Sequence, residues 1–350
     1  METLADRERD RQRSFFWVFN VTNGNMKAHM DDQHSLDAYL FDRDSRPRIE
    51  LPSPGGAGGK PSRERRASTE HAVTIPALDG KLLSGSVFLA EERGRVPRQV
   101  TLLASATGVT RGYYAKFAAH LARHDHAAVT LDYRGIGESR AGSAKESNAA
   151  MHEWGELDLS GAIAWARGTF GVDAINVVGH SVGGQLLGFL HQPEHVRKVV
   201  TVGSQSGEVR LWPAPERWRM ALLMYGLIPG ITKTVGYLPG ALGLGEDLPP
   251  GVALEWARWC RTRDYVVGAG GASRREAYAR LSSPILAFGF DDDPYAPEAA
   301  VSALMSFYKN AAVTRRQVPV NEAAVGHFGF FRERFQRTLW EEARAFLDAG

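Results

Sequence analysis

Three glycines surround one serine where an apolar run gives way to helical spacing of apolar residues. The stretch is INVVGHSVGGQLLGFL, residues 175–190, and its serine is Ser181. The pattern G-x-S-x-G is typical of an activated serine nucleophile when a strand precedes it and a helix follows. Gly179 and Gly183 would let neighbouring chain pass close to a strained serine backbone. A glycine-rich turn with a capping serine is the alternative, and the flanking strand and helix favour the nucleophile.

A histidine that could act as general base for Ser181 occurs near the end of the chain. His327 lies in AVGHFGFFRERF, after the last predicted strand and before the last predicted helix. The carboxyl ends of parallel strands meet at one edge of a sheet, so an imidazole on this loop can reach the serine hydroxyl. A surface or helix-start histidine is the alternative, but Gly326 and Gly329 favour a backbone shaped to present the ring.

Three consecutive aspartates follow the preceding predicted strand, in AFGFDDDPYAP. One of Asp291, Asp292 and Asp293 could accept the Nδ1–H of His327 and stabilise the imidazolium. The other two are adequately explained as a solvated acidic turn. The chain order serine, aspartate, histidine is that of the α/β-hydrolase fold and differs from the orders in chymotrypsin and subtilisin.

The same fold predicts which backbone amides would stabilise an oxyanion. The stretch SATGVTRG, residues 105–112, follows a predicted strand and precedes the first predicted helix, where the fold supplies one such amide. The expected donors are the N–H of Val109 and the N–H of Val182, the residue after the nucleophile.

The elements that must position these residues alternate along the chain from about residue 72. Strands alternating with helices predict an α/β fold with a mostly parallel central sheet and helices on both faces. Asp79-Gly80 predicts a hairpin that adds an antiparallel edge. The predicted strands lie in 72–90 (two strands), 99–105, 126–132, 175–179, 196–204, 284–290 and 315–320. The predicted helices lie in 113–125, 153–167, 184–192 and 333–349.

Composition divides the chain into three kinds of segment. Residues 1–70 are rich in proline, glycine, serine and charge, which predicts a flexible N-terminal extension. Residues 71–205 and 281–350 form the predicted core. Between them, residues 206–280 carry four of the eight tryptophans and helix-like pieces, which predicts a helical cap over the carboxyl edge of the sheet.

Several function classes are excluded or disfavoured. The formal net charge of the 350 residues is +2 with no long basic block, so we expect no nucleic-acid partner. The single cysteine, Cys260, allows no internal disulfide and no cysteine-based metal site, and we interpret it as a buried residue of the cap. No H-E-x-x-H motif occurs among the eleven histidines, and we predict no metal. No phosphate-loop or dinucleotide motif occurs, so we predict no cofactor.

The apolar runs of the chain are short. Near the N-terminus the unbroken run is residues 15–19, shorter than the core of a secretory signal, which is about 7–15 residues. No run approaches the roughly 18 residues that span a bilayer. We therefore expect no membrane span and a cytoplasmic location.

The chain resembles α/β-hydrolase-fold serine hydrolases through DYRGIGES, GHSVGG, DDDPYAP and GHFGFF, over about residues 72–350. It is most similar to a bacterial group of predicted hydrolases with unassigned substrates. The resemblance implies the fold and the triad, with Asp293 as the acid because a D-P-x-x-P-like turn follows it. Counting from Gly289 favours Asp292 instead. The family's usual His-Gly after the third strand is Thr107-Gly108 here, so a side-chain role for that histidine is absent.

We therefore expect a serine hydrolase that cleaves a carboxylic ester or related acyl bond with Ser181, Asp293 and His327. The tryptophan-rich cap suggests a small-molecule substrate with an apolar part. An acyltransferase or a C–C or amide-cleaving enzyme on the same triad is an alternative, as is a non-catalytic binding protein with this fold. The sequence leaves the substrate and the oligomeric state open.

Overall fold

The computed structural model describes residues 67–91, 97–243 and 245–349. Residues 1–66 of the predicted N-terminal extension lie outside these ranges. The first strand begins at Ser68, inside that predicted segment, because Ser68 to Glu70 pair with the last residues of the second strand. The strands are β1 Ser68–Pro76, β2 Leu82–Ala90, β3 Gln99–Ala104, β4 His126–Leu131, β5 Ile175–His180, β6 Val196–Val202, β7 Ile285–Phe290 and β8 Val313–Val318.

All eight strands form one sheet in the order β1-β2-β4-β3-β5-β6-β7-β8. Strand β2 pairs antiparallel with both β1 and β4. Every other pair of neighbouring strands is parallel. The predicted mostly parallel sheet with an antiparallel edge is confirmed. Its middle strands β3, β5 and β6 direct their carboxyl ends to one edge, so the loops that follow them come together there.

Helices cover both faces of the sheet, as the alternating pattern predicted. Successive residues of one strand enter different clusters: Leu102 packs with one set of helices and Leu103 with the other. A strand buried on both faces is apolar at nearly every position, which explains the continuous apolar runs in the sequence. The α-helices of four or more residues are α1 Ala115–Arg123, α2 Ser160–Phe170, α3 Val182–Gln185, α4 Glu216–Ala221, α5 Ile228–Val235, α6 Pro250–Arg261, α7 Tyr265–Arg280, α8 Glu298–Met305, α9 Gly326–Gly329 and α10 Leu339–Asp348.

Two predicted helices differ from the observed elements. Helix α2 is preceded by a π-helical segment, Trp154–Leu159, and Gly161 inside α2 permits close packing, since a Cβ there would lie 2.6 Å from Pro76 O. Helix α3 is short and continues as the 3₁₀ segment Leu186–Phe189. Tyrosine hydroxyls donate hydrogen bonds to the carbonyls of Gly184 and Gln185, which a longer α-helix would use itself.

The segment between β6 and β7 contains helices α4 to α7, with a π-helical segment, Leu222–Leu227, between α4 and α5. We call this segment the helical insertion. It contacts the rest of the fold near the carboxyl edge of the sheet: the Glu246 amide donates to Gly108 O at 2.7 Å, and the Tyr265 hydroxyl donates to Gln185 Oε1 at 2.9 Å. The division into core and cap at residues 206–280 stays a prediction.

Within the described ranges, no helix is both long enough and apolar enough to cross a lipid bilayer.

Candidate active site

Ser181 occupies a strained turn between β5 and α3. Its φ is 51° and its ψ is −115°, a combination that L-residues rarely adopt. Gly179 and Gly183 make this turn possible, because a Cβ at Gly179 would lie 2.6 Å from a backbone nitrogen of α3. A Cβ at Gly183 would lie 2.1 Å from Ala104 O. The serine is therefore held at the carboxyl end of a central strand, with 8% of its surface exposed.

His327 forms a close pair with Asp293. The imidazole Nδ1 lies 2.7 Å from Asp293 Oδ2, the carboxylate side chain is fully buried and the imidazole is nearly so. The other carboxylate oxygen, Oδ1, accepts hydrogen bonds from the amides of Tyr295 (2.8 Å) and Ala296 (3.1 Å). These two amides hold the carboxylate so that Oδ2 faces the ring.

The two neighbouring aspartates have other partners. Asp292 Oδ1 accepts a hydrogen bond from the Gly326 amide at 2.9 Å, and Asp291 Oδ1 accepts one from Gln317 Nε2 at 2.8 Å. Asp292 thus binds the backbone just before His327, whereas Asp293 contacts the imidazole itself.

Gly203 lies beside the histidine–aspartate pair, and the sequence analysis did not single it out. Its φ is +56°, and a Cβ there would lie 3.1 Å from Asp293 Oδ2 and 3.2 Å from His327 Nδ1. A side chain would press on the atoms that share the proton. The available signal was a glycine directly after β6, the strand next to the one that carries the serine.

No hydrogen bond joins Ser181 Oγ to another described residue, and the link to His327 runs through His180. His180 Nε2 lies 2.9 Å from the carbonyl oxygen of His327, and Nδ1 lies 2.9 Å from the Tyr114 hydroxyl. That hydroxyl also accepts the Ala106 amide at 2.8 Å. Catalytic hydrogen bonds are often long without substrate, so the missing serine–histidine bond does not exclude the pair.

The hydrogen-bond partners of His180 determine which of its ring nitrogens carries the proton. Since Tyr114 accepts an amide proton, its own proton points to His180 Nδ1, and Nε2–H donates to the His327 carbonyl. Burial, and secondly the charge of His327, lower the pKa of His180 well below its usual value, which keeps this ring neutral. A directional chain of hydrogen bonds therefore connects the loop after β3, helix α1's start, β5 and the His327 loop.

The two predicted oxyanion donors differ in their surroundings. Val182 is the first residue of α3, and amides in the first turn of a helix have no intrahelical acceptor. The Val109 amide donates to Ala106 O at 3.2 Å and closes a turn. To bind an oxyanion it must exchange that long hydrogen bond for the substrate oxygen.

Hydrogen bonds fix the loop after β4 to the segment that follows the predicted oxyanion donor Val109. Asp132 Oδ1 accepts the Arg111 amide at 2.7 Å, and the Ser139 hydroxyl donates to Asp132 O at 2.7 Å. Nearby, Arg134 Nε donates to buried Asp158 Oδ1 at 2.7 Å. Burial raises the pKa of Asp158 to about 6 despite the attraction of Arg134.

Two partly exposed aromatic side chains contact His327 and a third contacts one of these two, and we call the three the aromatic rim. They are Tyr113, Tyr295 and Phe328, with exposed fractions of 37%, 48% and 40%. The ring centre of His327 lies 5.0 Å from Phe328 and 5.3 Å from Tyr295. Tyr113 contacts Phe328 edge to face at 6.4 Å. The rim gives the approach to the imidazole an apolar wall.

A cavity of about 500 Å³ next to the aspartate loop is lined by Trp212, Glu216, Asp291 and Asp293 among others, but by neither Ser181 nor His327. Cys260 is buried, and burial raises the pKa of its thiol, so it does not supply a thiolate nucleophile.

Comparisons with known proteins agree with this architecture. A family model described as alpha/beta hydrolase fold matches residues 102–227, from β3 into the helical insertion. No curated protein sequence matches the chain.

Solved structures resemble the chain over most of its length. A hypothetical protein from Pseudomonas aeruginosa has a TM-score of 0.57 at 15% identity, with 84% of this chain and 99% of that chain covered. An esterase from Exiguobacterium antarcticum has a TM-score of 0.52 at 15% identity, covering 80% of this chain and all (100%) of that chain. Est1E from Butyrivibrio proteoclasticus, with ferulic acid bound, has a TM-score of 0.51 at 15% identity, covering 79% and 98%. From the sheet order, the matching family model and these likenesses we conclude that the chain has the α/β-hydrolase fold.

Proposed function

We propose that this protein is a serine hydrolase that cleaves a carboxylic ester or related acyl bond through an acyl-enzyme. One observation carries the proposal. Ser181 lies at a strained strand-to-helix turn, directly after His180. His180 binds the backbone carbonyl of His327, whose imidazole is paired with a buried aspartate. A non-catalytic binding protein has no need for a strained serine backbone beside a buried Asp–His pair.

In the first half-reaction His327 Nε2 takes the Ser181 Oγ proton as the oxygen attacks the substrate carbonyl carbon. Asp293 Oδ2 accepts the Nδ1–H and stabilises the imidazolium that forms. The imidazolium then gives its proton to the leaving alcohol as the tetrahedral intermediate collapses to the acyl-enzyme.

In the second half-reaction water replaces the alcohol. His327 takes a proton from water, the hydroxide attacks the acyl carbon, and the proton returns to Ser181 Oγ as the acid leaves. Each negative oxygen formed on the way is stabilised by the Val182 amide at the start of α3 and by the Val109 amide once it leaves Ala106 O.

The aromatic rim supports a substrate with an apolar group next to the reacting carbonyl. Tyr295 and Phe328 each contact the imidazole ring, so a group bound between them lies close to the atom that transfers the proton. Apolar groups leave water for such a wall with a gain of about 25 cal/mol per Å².

The test uses a fluorophosphonate probe, which reacts with activated serines. We expect the wild-type chain to be labelled and to hydrolyse a panel of aryl and alkyl esters, and Ser181→Ala to do neither. Ser302→Ala is the matched control, because Ser302 is a partly exposed serine whose hydroxyl donates to Glu298 O on helix α8. Equal labelling of wild type and Ser181→Ala would refute the proposal.

The final acyl acceptor is tested separately. We expect the free acid to remain the main product when an alcohol or amine acceptor is added to the ester assay. Predominant transfer to the acceptor would assign an acyltransferase to the same residues.

A further inference from the structure

Two histidines and a glutamate meet on the outer side of the fold, apart from the candidate active site. His120 lies on helix α1, His124 directly follows this helix, and Glu341 lies on the C-terminal helix α10. One donor atom from each lies within 4.8 Å of the other two. No described hydrogen bond, ion pair or ring contact joins these side chains to Ser181, Asp293 or His327.

Two of the three separations between donor atoms are close to those of a tetrahedral metal site. Glu341 Oε1 lies 3.0 Å from His120 Nε2 and 3.8 Å from His124 Nε2. Ligand atoms about 2.0–2.2 Å from a tetrahedral zinc ion stand about 3.3–3.5 Å apart, between these two distances.

His120 supplies a second, independent observation that points to a ligand. Its side chain is 99% buried, yet Nε2 has no hydrogen-bond partner among the described residues, because the 3.0 Å contact with Glu341 is not aligned as a hydrogen bond. A neutral imidazole protonated on Nδ1 presents a lone pair at this Nε2, as a metal ligand must.

The surrounding contacts orient the other two ligands. His124 Nδ1–H donates to the His120 carbonyl at 2.8 Å, which leaves the Nε2 lone pair directed away from the helix. Arg344 Nε and Nη2 donate to Glu341 Oε2 at 3.0 and 2.7 Å, so that Oε1 is the oxygen turned to the histidines. Such hydrogen bonds to the remote atom of a ligand are the usual support of protein metal sites.

The charges nearby also permit a cation. The Glu341 carboxylate, which accepts two hydrogen bonds from Arg344, supplies one negative charge at the site. Arg123 and Arg344 repel a cation, so binding depends on direct coordination and not on a general negative potential.

We propose that His120, His124 and Glu341 bind one divalent transition-metal ion of the zinc class, with water in the fourth position. Two imidazole nitrogens and one carboxylate oxygen suit zinc better than magnesium or calcium, which prefer oxygen ligands. His124 and Glu341 are partly exposed, which gives the ion an entry path. The ion joins α1 to α10 and stabilises the docking of the C-terminal helix.

The experiment uses the full-length chain after removal of metal with EDTA and dialysis. Isothermal titration with Zn²⁺ is expected to show one equivalent of binding that both His124→Ala and Glu341→Gln lose. His71→Ala on β1 is the matched control and keeps the equivalent. Zn²⁺ at about a hundred times its dissociation constant should raise Tm by about 5 °C in wild type and control, and not in the two variants.

A second readout on the wild-type chain is independent of how well the variants fold. One equivalent of Co²⁺ should give the intense visible absorption of a tetrahedral ion, and Zn²⁺ should displace it. An unchanged Zn²⁺ stoichiometry in both variants, or a Co²⁺ spectrum like that of the hydrated ion, would overturn the proposal.

Discussion

The adjacent carboxylates of Asp293 and Asp292 bind different partners. Asp293 contacts the His327 imidazole at 2.7 Å, and Asp292 binds the Gly326 amide at 2.9 Å. In the proposed reaction, loss of the first carboxylate removes the charge that stabilises the imidazolium. Loss of the second removes one hydrogen bond to the loop that carries the imidazole.

We therefore expect Asp293→Asn to lower kcat/KM for an ester by about 10⁴-fold, because the wrong ring tautomer is favoured. Asp292→Asn should lower it about ten-fold or less, the effect of one ordinary hydrogen bond. Steady-state kinetics on the two variants measure this difference directly. If Asp292→Asn were the more damaging change, the acid would have to be reassigned.

Strand β5 and helix α1 are connected through His180 and Tyr114 rather than by packing alone. The Tyr114 hydroxyl receives the Ala106 amide and donates to His180, whose other nitrogen binds the His327 carbonyl. The loop after β3, which contains Val109, and the loop that carries His327 are thus held by one chain of hydrogen bonds. We regard Tyr114 and His180 as positioning residues for the proposed reaction.

Tyr114→Phe should reduce kcat while leaving KM nearly unchanged, because it loosens the reacting groups and not the aromatic rim. It should also cost about 1–3 kcal/mol of folding free energy, since it leaves buried polar groups unpaired. Ser283→Ala is the control: its buried hydroxyl donates to Val196 O at the opposite end of β6. That variant should lose stability with normal kcat. If Tyr114→Phe and Ser283→Ala had the same kcat, the role of Tyr114 would be structural only.

At the scale of the whole molecule, the helical insertion is attached to the segment that begins at Ser181, the proposed nucleophile. Tyr265 and Tyr278 of helix α7 donate hydrogen bonds to the side chain and the carbonyl of Gln185. Gly188 lies directly under the Tyr278 ring, where a Cβ would be 2.1 Å from a ring carbon. The insertion and the serine turn therefore share one packed contact.

We expect Gly188→Ala to destabilise the protein by about 1–3 kcal/mol, because it overpacks this contact. It should also reduce ester turnover. Gly226→Ala in the same insertion is the matched control, since its nearest Cβ contact would be an ordinary 3.8 Å to Leu222. Chemical denaturation measures both variants, and a neutral Gly188→Ala would show that the contact is not tight.

Much of the fold was predictable because its signals are local. Apolar runs, helical spacing and the Asp79-Gly80 turn indicated the strands, the helices and the edge hairpin, and the rules of parallel sheets brought their ends together. Boundaries were less accurate: the last strand was predicted at 315–320 and is Val313–Val318. Of the candidate site, the strained serine turn was foreseen because glycine spacing encodes it.

The sequence by itself determined the fold class and named Ser181, His327 and three aspartates as candidates, of which the family resemblance favoured Asp293. Only the tertiary structure decided that Asp293 contacts His327, that Gly203 leaves room for that contact, and that His180 connects the two loops. It alone also brought Glu341 to His120 and His124, whereas the sequence had predicted no metal site. The physical reason is that such contacts join residues far apart in the chain and depend on ångström-scale register, which neither composition nor periodicity encodes.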